Sequence, residues 1–181
     1  MPKQEFPFPM PNGWFCVTRV GDIQNGESKP FTFCEKEVVA FRTESGKVSV
    51  LDAYCGYSGI NLAISGTVEG ETINSPKHGI KWNIDGSCAE IGKDSGVPKE
   101  AMEVTTFSYP CQELNGFIWA WHHLLQEEPS FEIPAIDGFN GDDSKWGKEH
   151  HYEYHINTVL QEIAENDVDQ AHFPKVHGSP S

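Results

Sequence analysis

Short runs of β-branched and aromatic residues, cut at close intervals by turn residues, set the limit on what this 181-residue chain can fold into. Between residues 13 and 125 the runs are "WFCVTRV", "KPFTFCEKEVVAFRT", "KVSVLDAYC", "TVEGETINS", "GIKWNID" and "GFIWAWHH". Turn signals separate them at "NGES", "ESGK", "VEGE" and "DGSC". Side chains that crowd a helix but fit a pleated sheet, broken every few residues, predict a mostly β unit of the antiparallel sandwich or barrel kind. The alternation in "KVSVL" predicts a half-buried strand.

From about residue 126 to 148 the chain changes character. "QEEPSFEIPAIDGFNGDDSKWGKE" is acidic and broken by Pro and Gly, as a connection between units would be. "HHYEYHI" then reads as one more strand, placing His151, Glu153 and His155 on one face, where a solvated surface is the expected role. "NTVLQEIAENDVDQAHF" has helical spacing: Asn157 is placed to cap it, and Val159, Leu160, Ile163, Ala164, Val168 and Ala171 form an apolar stripe. Pro174 ends or kinks that helix.

Charge and cysteine usage exclude several roles. A formal charge of −14 repels nucleic acid and anionic membrane alike. No apolar run has bilayer-spanning length, and "MPKQEFPFPMPNGWF" lacks a signal-peptide pattern, so a cytoplasmic location is expected. Cysteines 16, 34, 55, 88 and 111 are odd in number and contain no C-x-x-C, which points to thiols or ligands instead of a disulfide framework. "WAWHH" ends a core strand, its tryptophans packing and His122 and His123 at the surface.

Two loops carry the first chemical signal. "YCGYSGI" at 54–60 and "NSPKHGIKW" at 74–82 are separated by a β-like stretch, and each offers one soft metal donor, Cys55 and His78. With "VLDAYC", "GTVEGETI", "PKHGIKWNIDGSC", "NGFIWAW" and the opening "PMPNGWFCV", almost the whole chain resembles Rieske non-haem iron oxygenases, nearest the ketosteroid hydroxylase and cholesterol desaturase branch. That resemblance implies a Rieske-like antiparallel β-sandwich over 1–125, a linker over 126–148, and over 149–181 the strand and helix that open an α+β catalytic domain.

Rieske [2Fe–2S] clusters bind one iron through two Cys and the other through two His. The family pattern is C-x-H, a spacer, then C-x-x-H. By this alignment Cys55 and His78 occupy cluster positions, Tyr57 stands in place of the second His, and Ser75 in place of the second Cys. Gly56 sits where Pro is usual and Lys77 where an apolar residue is common. One change falls on each iron. Iron–sulfur clusters prefer thiolate to alkoxide, so the sequence does not predict a normal cluster. Cys88, in "DGSC", lies where the family often carries a cysteine that is not a ligand.

"AENDVDQAHFPKVH" carries the second signal, D-x-x-H-x-x-x-x-H. Oxygen-activating mononuclear Fe(II) is held by two His and one carboxylate on one face, with positions left open. The resemblance implies that His172 and His177 are iron ligands, that Asp169 links this iron to a cluster in a neighbouring subunit, and that Asn166 lies beside the metal. The remaining "GSPS" offers no third ligand, so the chain alone is not expected to oxygenate. Implied partners are oxygenase subunits in a head-to-tail trimer and a reductase or ferredoxin fed by NAD(P)H. The resemblance implies O2-dependent hydroxylation or desaturation of a hydrophobic, steroid-like ring. The alternative is a non-catalytic assembly module that binds an intact oxygenase subunit.

Overall fold

A computed structural model describes residues 9–139, 146–147 and 150–178. Residues 10–146 form one compact unit, and the chain from Gly147 onward belongs to a second.

Among the described residues, the first unit has eleven strands in three antiparallel sheets. The outer sheet runs β1 (Gly13–Arg19), β11 (Phe117–His122), β10 (Cys111–Leu114). The middle sheet runs β2 (Ser28–Phe33), β3 (Lys36–Arg42), β4 (Val48–Asp52), β9 (Ser108–Tyr109). The third sheet runs β5 (Thr67–Glu69), β6 (Thr72–Ser75), β7 (Ile80–Trp82), β8 (Cys88–Glu90). The mostly β, antiparallel expectation is met.

Alternation along the middle sheet explains the layering. Val39, Phe41 and Leu51 point to one side and join Cys55, Leu62, Ile73, Ile80, Trp82 and Cys88 in one core. Val38, Ala40 and Val50 point to the other and join Ile23, Phe33, Tyr109, Ile118 and Ala120. β3 is therefore buried on both faces, which is why "VVAF" is a continuous apolar run instead of an alternating one.

β4 corrects the half-buried expectation. Ser49 is 1% exposed, and its hydroxyl is satisfied by donating to the Ile84 carbonyl at 2.7 Å. The polar residue in the alternation marks a second packed face and not a wet one. Arg42 is also buried. Its Nε donates to the Ile23 carbonyl (2.8 Å), Nη1 to that of Gly46 (2.9 Å) and Nη2 to that of Val20 (3.2 Å), and the guanidinium pairs with Glu113. Such full pairing is what makes a buried charge tolerable.

His122 and His123 are half-buried, not surface residues: His123 stacks on Trp121 at 6.3 Å between ring centroids. Residues 131–136 of the 126–148 stretch lie against the strands. Trp14 Nε1 donates to the Phe131 carbonyl at 2.9 Å, while Asn115 donates to the Pro134 carbonyl and accepts from the Ile136 N–H, each at 2.9 Å.

The second unit departs from expectation at its start. Residues 150–156 form no strand and are exposed; His155 Nε2 lies 3.3 Å from Glu153 Oε1 at the surface. Alternation alone does not make a strand, since a strand needs a neighbour for its backbone groups. Helix α2 spans Leu160–Val168 and its N-cap is Val159, not Asn157. The stripe is only partly covered: Val159 and Ile163 are half-buried, whereas Ala164, Ala171 and Val168 (76%) are exposed. After a break at Asp169, a π-helical turn takes in Phe173–His177, with Pro174 in its first positions, where a missing N–H costs no internal hydrogen bond.

Two outcomes are expected. Phe41→Ala should destabilise the β unit by about 3–5 kcal/mol, read from chemical denaturation, because Phe41 is fully buried. Burial pushes the Cys34 and Cys111 thiols up to about 11. Their neutral forms favour the fold, so stability should be intact below about pH 8.5, where free thiols titrate, and fall as pH rises towards 11. Denaturation midpoints across that range, with Cys111→Ala flattening the slope, check it.

Candidate metal-binding loops and helix end

The first loop leaves β4 and is pinched shut. Tyr54 and Asn61 form an isolated antiparallel bridge, Cys55 N–H donates to the Ile60 carbonyl and Gly59 N–H to that of Cys55, both at 2.9 Å. Asn61 then caps the short helix α1 (Leu62–Ser65), its Oδ1 accepting from the Ala63 and Ile64 N–H groups. This places Cys55 at 2% exposure in the core, with its sulfur facing hydrogen-bond donors. The Ser58 N–H donates to Sγ at 3.3 Å and the Ser58 hydroxyl lies 3.0 Å away. Burial pushes the thiol up, but the bonds from the Ser58 hydroxyl and from neighbouring N–H groups outweigh it, and the net shift is downward. A nest of this kind favours thiolate, the form that ligates metal.

Gly56 is required where it stands. Its N–H donates to Thr106 Oγ1 at 3.0 Å, and a Cβ there would run into the Thr105 carbonyl oxygen. A proline would lose that donor as well.

The second loop is the tip of the β6–β7 hairpin, closed by the Ser75–Ile80 pair and by the Gly79 N–H donating to the Ser75 carbonyl at 2.9 Å. Ile73 and Ser75 share a face of β6, so Ser75 looks into the core that holds Cys55. The two tips meet: the Tyr57 and His78 rings are 5.5 Å apart, edge to face. Among the described residues, five buried side-chain polar atoms lack a partner, and four belong to this hairpin: Asn74 Oδ1, Ser75 Oγ, His78 Nδ1 and Trp82 Nε1. Such concentration in one place calls for a local explanation. Cys88 does not contribute to the tip. It pairs across from Trp82, at the far end of β7, and its thiol lies 3.7 Å from the Glu90 carbonyl and 3.6 Å from Met102 Sδ.

In the second unit, the end of α2 gathers Asp169, His172 and His177. His172 Nδ1 lies 2.6 Å from the Asp169 carbonyl oxygen, which only accepts, so Nδ1 is the donor and Nε2 is the ring nitrogen left for another partner. That Nε2 is buried and unpartnered. The His177 ring sits 5.1 Å from the His172 ring at 76°. The Asp169 carboxylate is 4.0 Å from His172 Nδ1, and its Oδ1 accepts from the Ala171 N–H at 3.1 Å. Asn166 stays exposed on α2. A histidine that gives one ring proton to a carbonyl and holds the other nitrogen free is prepared for a metal.

Residues 13–107 match the model of the Rieske [2Fe-2S] domain, and residues 120–181 that of the 3-ketosteroid 9alpha-hydroxylase C-terminal domain. The chain belongs to the Rieske oxygenase family. It is 36% identical over 173 residues to the cholesterol 7-desaturase nvd 1 of Ciona intestinalis, and 35% over 174 to the cholesterol 7-desaturase nvd of Drosophila melanogaster. Against the oxygenase component of the 3-ketosteroid-9-alpha-monooxygenase of Rhodococcus rhodochrous it is 33% identical over 168 residues. These alignments cover 96%, 96% and 91% of the chain, but the chain spans only 36%, 39% and 43% of the relatives. The fold is shared with the terminal oxygenase of carbazole 1,9a-dioxygenase from Nocardioides aromaticivorans IC177, at a TM-score of 0.60 and 21% identity, covering 73% of this chain and 36% of that one. Among the described residues no helix is long and apolar enough to cross a membrane.

Ser58 and Thr106 escaped the sequence reading, although a hydroxyl three residues after a candidate ligand was a signal for the first. Thr106 is fifty residues from the Gly56 N–H it serves, and nothing local points to it.

The orphaned Ser75 hydroxyl yields an expectation. An unsatisfied buried hydroxyl costs about 1–3 kcal/mol. Ser75→Ala should therefore leave the protein as stable or more so, measured by chemical denaturation, whereas most buried substitutions weaken a fold.

Proposed function

We propose that this chain serves the O2-dependent hydroxylation or desaturation of a hydrophobic ring substrate of the sterol or ketosteroid kind. The single observation that supports this most is the helix end, where His172 Nε2 is buried without a partner beside His177, within a stretch matching the ketosteroid hydroxylase C-terminal domain.

In this reading His172 and His177 would hold a mononuclear Fe(II). Among the described residues no group of three His, Cys, Asp or Glu has the arrangement to hold a metal ion, so a carboxylate would join His172 and His177 from elsewhere, in the same polypeptide or a second one. When bound, such an iron supplies activation of O2. The Asp169 carbonyl accepts a hydrogen bond from Nδ1–H, which fixes the orientation of the ring. The Asp169 carboxylate, near the same ring and 58% exposed, would carry a hydrogen bond to a neighbouring subunit's group. Asn166 would lie beside the metal. Electrons would arrive from NAD(P)H through a reductase or ferredoxin, and intact oxygenase subunits are the partners expected in a head-to-tail assembly.

The test is incubation with an oxygenase-family reductase and ferredoxin, NAD(P)H and O2 over a panel of sterols and 3-ketosteroids, with and without an intact oxygenase subunit. Products gaining one oxygen or losing two hydrogens, seen by mass spectrometry and abolished by His172→Ala, are the expected result. No product under any of these conditions would defeat the proposal. A second reading, a non-catalytic assembly module, is favoured by Tyr57 and Ser75 at the cluster positions. It predicts that an intact subunit co-purifies with this chain and that His172→Ala leaves that subunit's turnover unchanged.

A further inference from the structure

The frame of the cluster loops and their donor atoms disagree. Of the four cluster positions, only Cys55 offers a thiol and only His78 an imidazole; Ser75 and Tyr57 offer a hydroxyl and a phenol. A [2Fe–2S] centre of the Rieske kind requires two thiolates on one iron and two imidazoles on the other. This donor set does not fit it.

Everything else about the loops does fit. The Cys55 sulfur is held in a nest of donors from Ser58. His78 Nδ1 is buried with no partner in the protein. Ser75 is fully buried, its hydroxyl is unpartnered, and its place on β6 turns it towards the core that contains Cys55. Cysteine differs from serine at that point by one atom. Tyr57 sits at the open edge, 36% exposed and touching the His78 ring, so a smaller ring there disturbs little packing. Gly56 lets the first loop lie against residues 105 and 106, which fixes its path whatever follows.

We infer that the loop pair is a latent cluster site: redox-silent as it stands, and separated from a competent [2Fe–2S] site by the side chains of Tyr57 and Ser75 alone. This stands apart from the substrate reading, because iron, sulfide and spin are measured without turnover.

The experiment is anaerobic reconstitution of the full chain with ferrous iron and sulfide, in the wild type, Tyr57→His, Ser75→Cys and the double variant. The readouts are iron and acid-labile sulfide per chain, visible absorption, and EPR after dithionite reduction, with circular dichroism as the check on folding. The wild type should hold no sulfide and give no signal. The double variant should take up about two irons and two sulfides with a rhombic signal, and each single variant should fall short of it. A cluster in the wild type overturns the inference. So does a folded double variant that stays empty, since more than two donors would then be missing. A double variant that fails to fold counts against it equally, because the frame is inferred to accept both donors without rearrangement.

Discussion

The double burial of β3 is the constraint on which the rest of the β unit depends. Four consecutive apolar residues, Val38 to Phe41, send alternate side chains into two different cores. The middle sheet must consequently be covered on both sides, by the β1–β11–β10 sheet and by the β5–β8 sheet. Cys55 belongs to the second of those cores, so the same packing that orders the third sheet brings its hairpin tip up to the first loop. The loop geometry follows from the burial of these apolar side chains.

Much of this was readable from residues alone, and the failures have specific causes. The strands between 13 and 125 announced themselves through β-branched residues and turn signals. The turn between β2 and β3 did not: Cys34 and Glu35 both take positive φ (46° and 68°), a conformation usually signalled by Gly or Asn. "KPFTFCEKEVVAFRT" accordingly looked like one run. Ser49 misled in the opposite direction, because a buried hydroxyl with a carbonyl partner reads as a solvated one. In the second unit, the alternation of "HHYEYHI" had no neighbouring strand to act on among the described residues.

The two donor sets differ in what sequence can reveal. Cys55, Tyr57, Ser75 and His78 are candidate cluster positions through the family resemblance, which rests on a two-loop pattern. What spacing could not show is the state of the atoms: a sulfur surrounded by donors, an imidazole nitrogen and a hydroxyl with none. At the helix end the reverse holds. D-x-x-H-x-x-x-x-H is a common pattern, and its meaning comes from the tautomer that the Asp169 carbonyl imposes on His172. In each case the sequence names candidates and not the state of their atoms, because that state depends on backbone groups that no side-chain pattern encodes.

The four partnerless polar atoms of the β6–β7 hairpin also bear on motion. A group starved of partners in the folded state regains them from water whenever its segment opens. Opening the hairpin tip is thereby favoured relative to opening β3 and β4, whose backbone groups would surrender good bonds and whose side chains would surrender two cores. Local fluctuation in the β unit should therefore concentrate at residues 74–82, beside the sulfur of Cys55. The Cys55 thiol, 2% exposed in the closed fold, would meet solvent through such openings of its neighbouring hairpin.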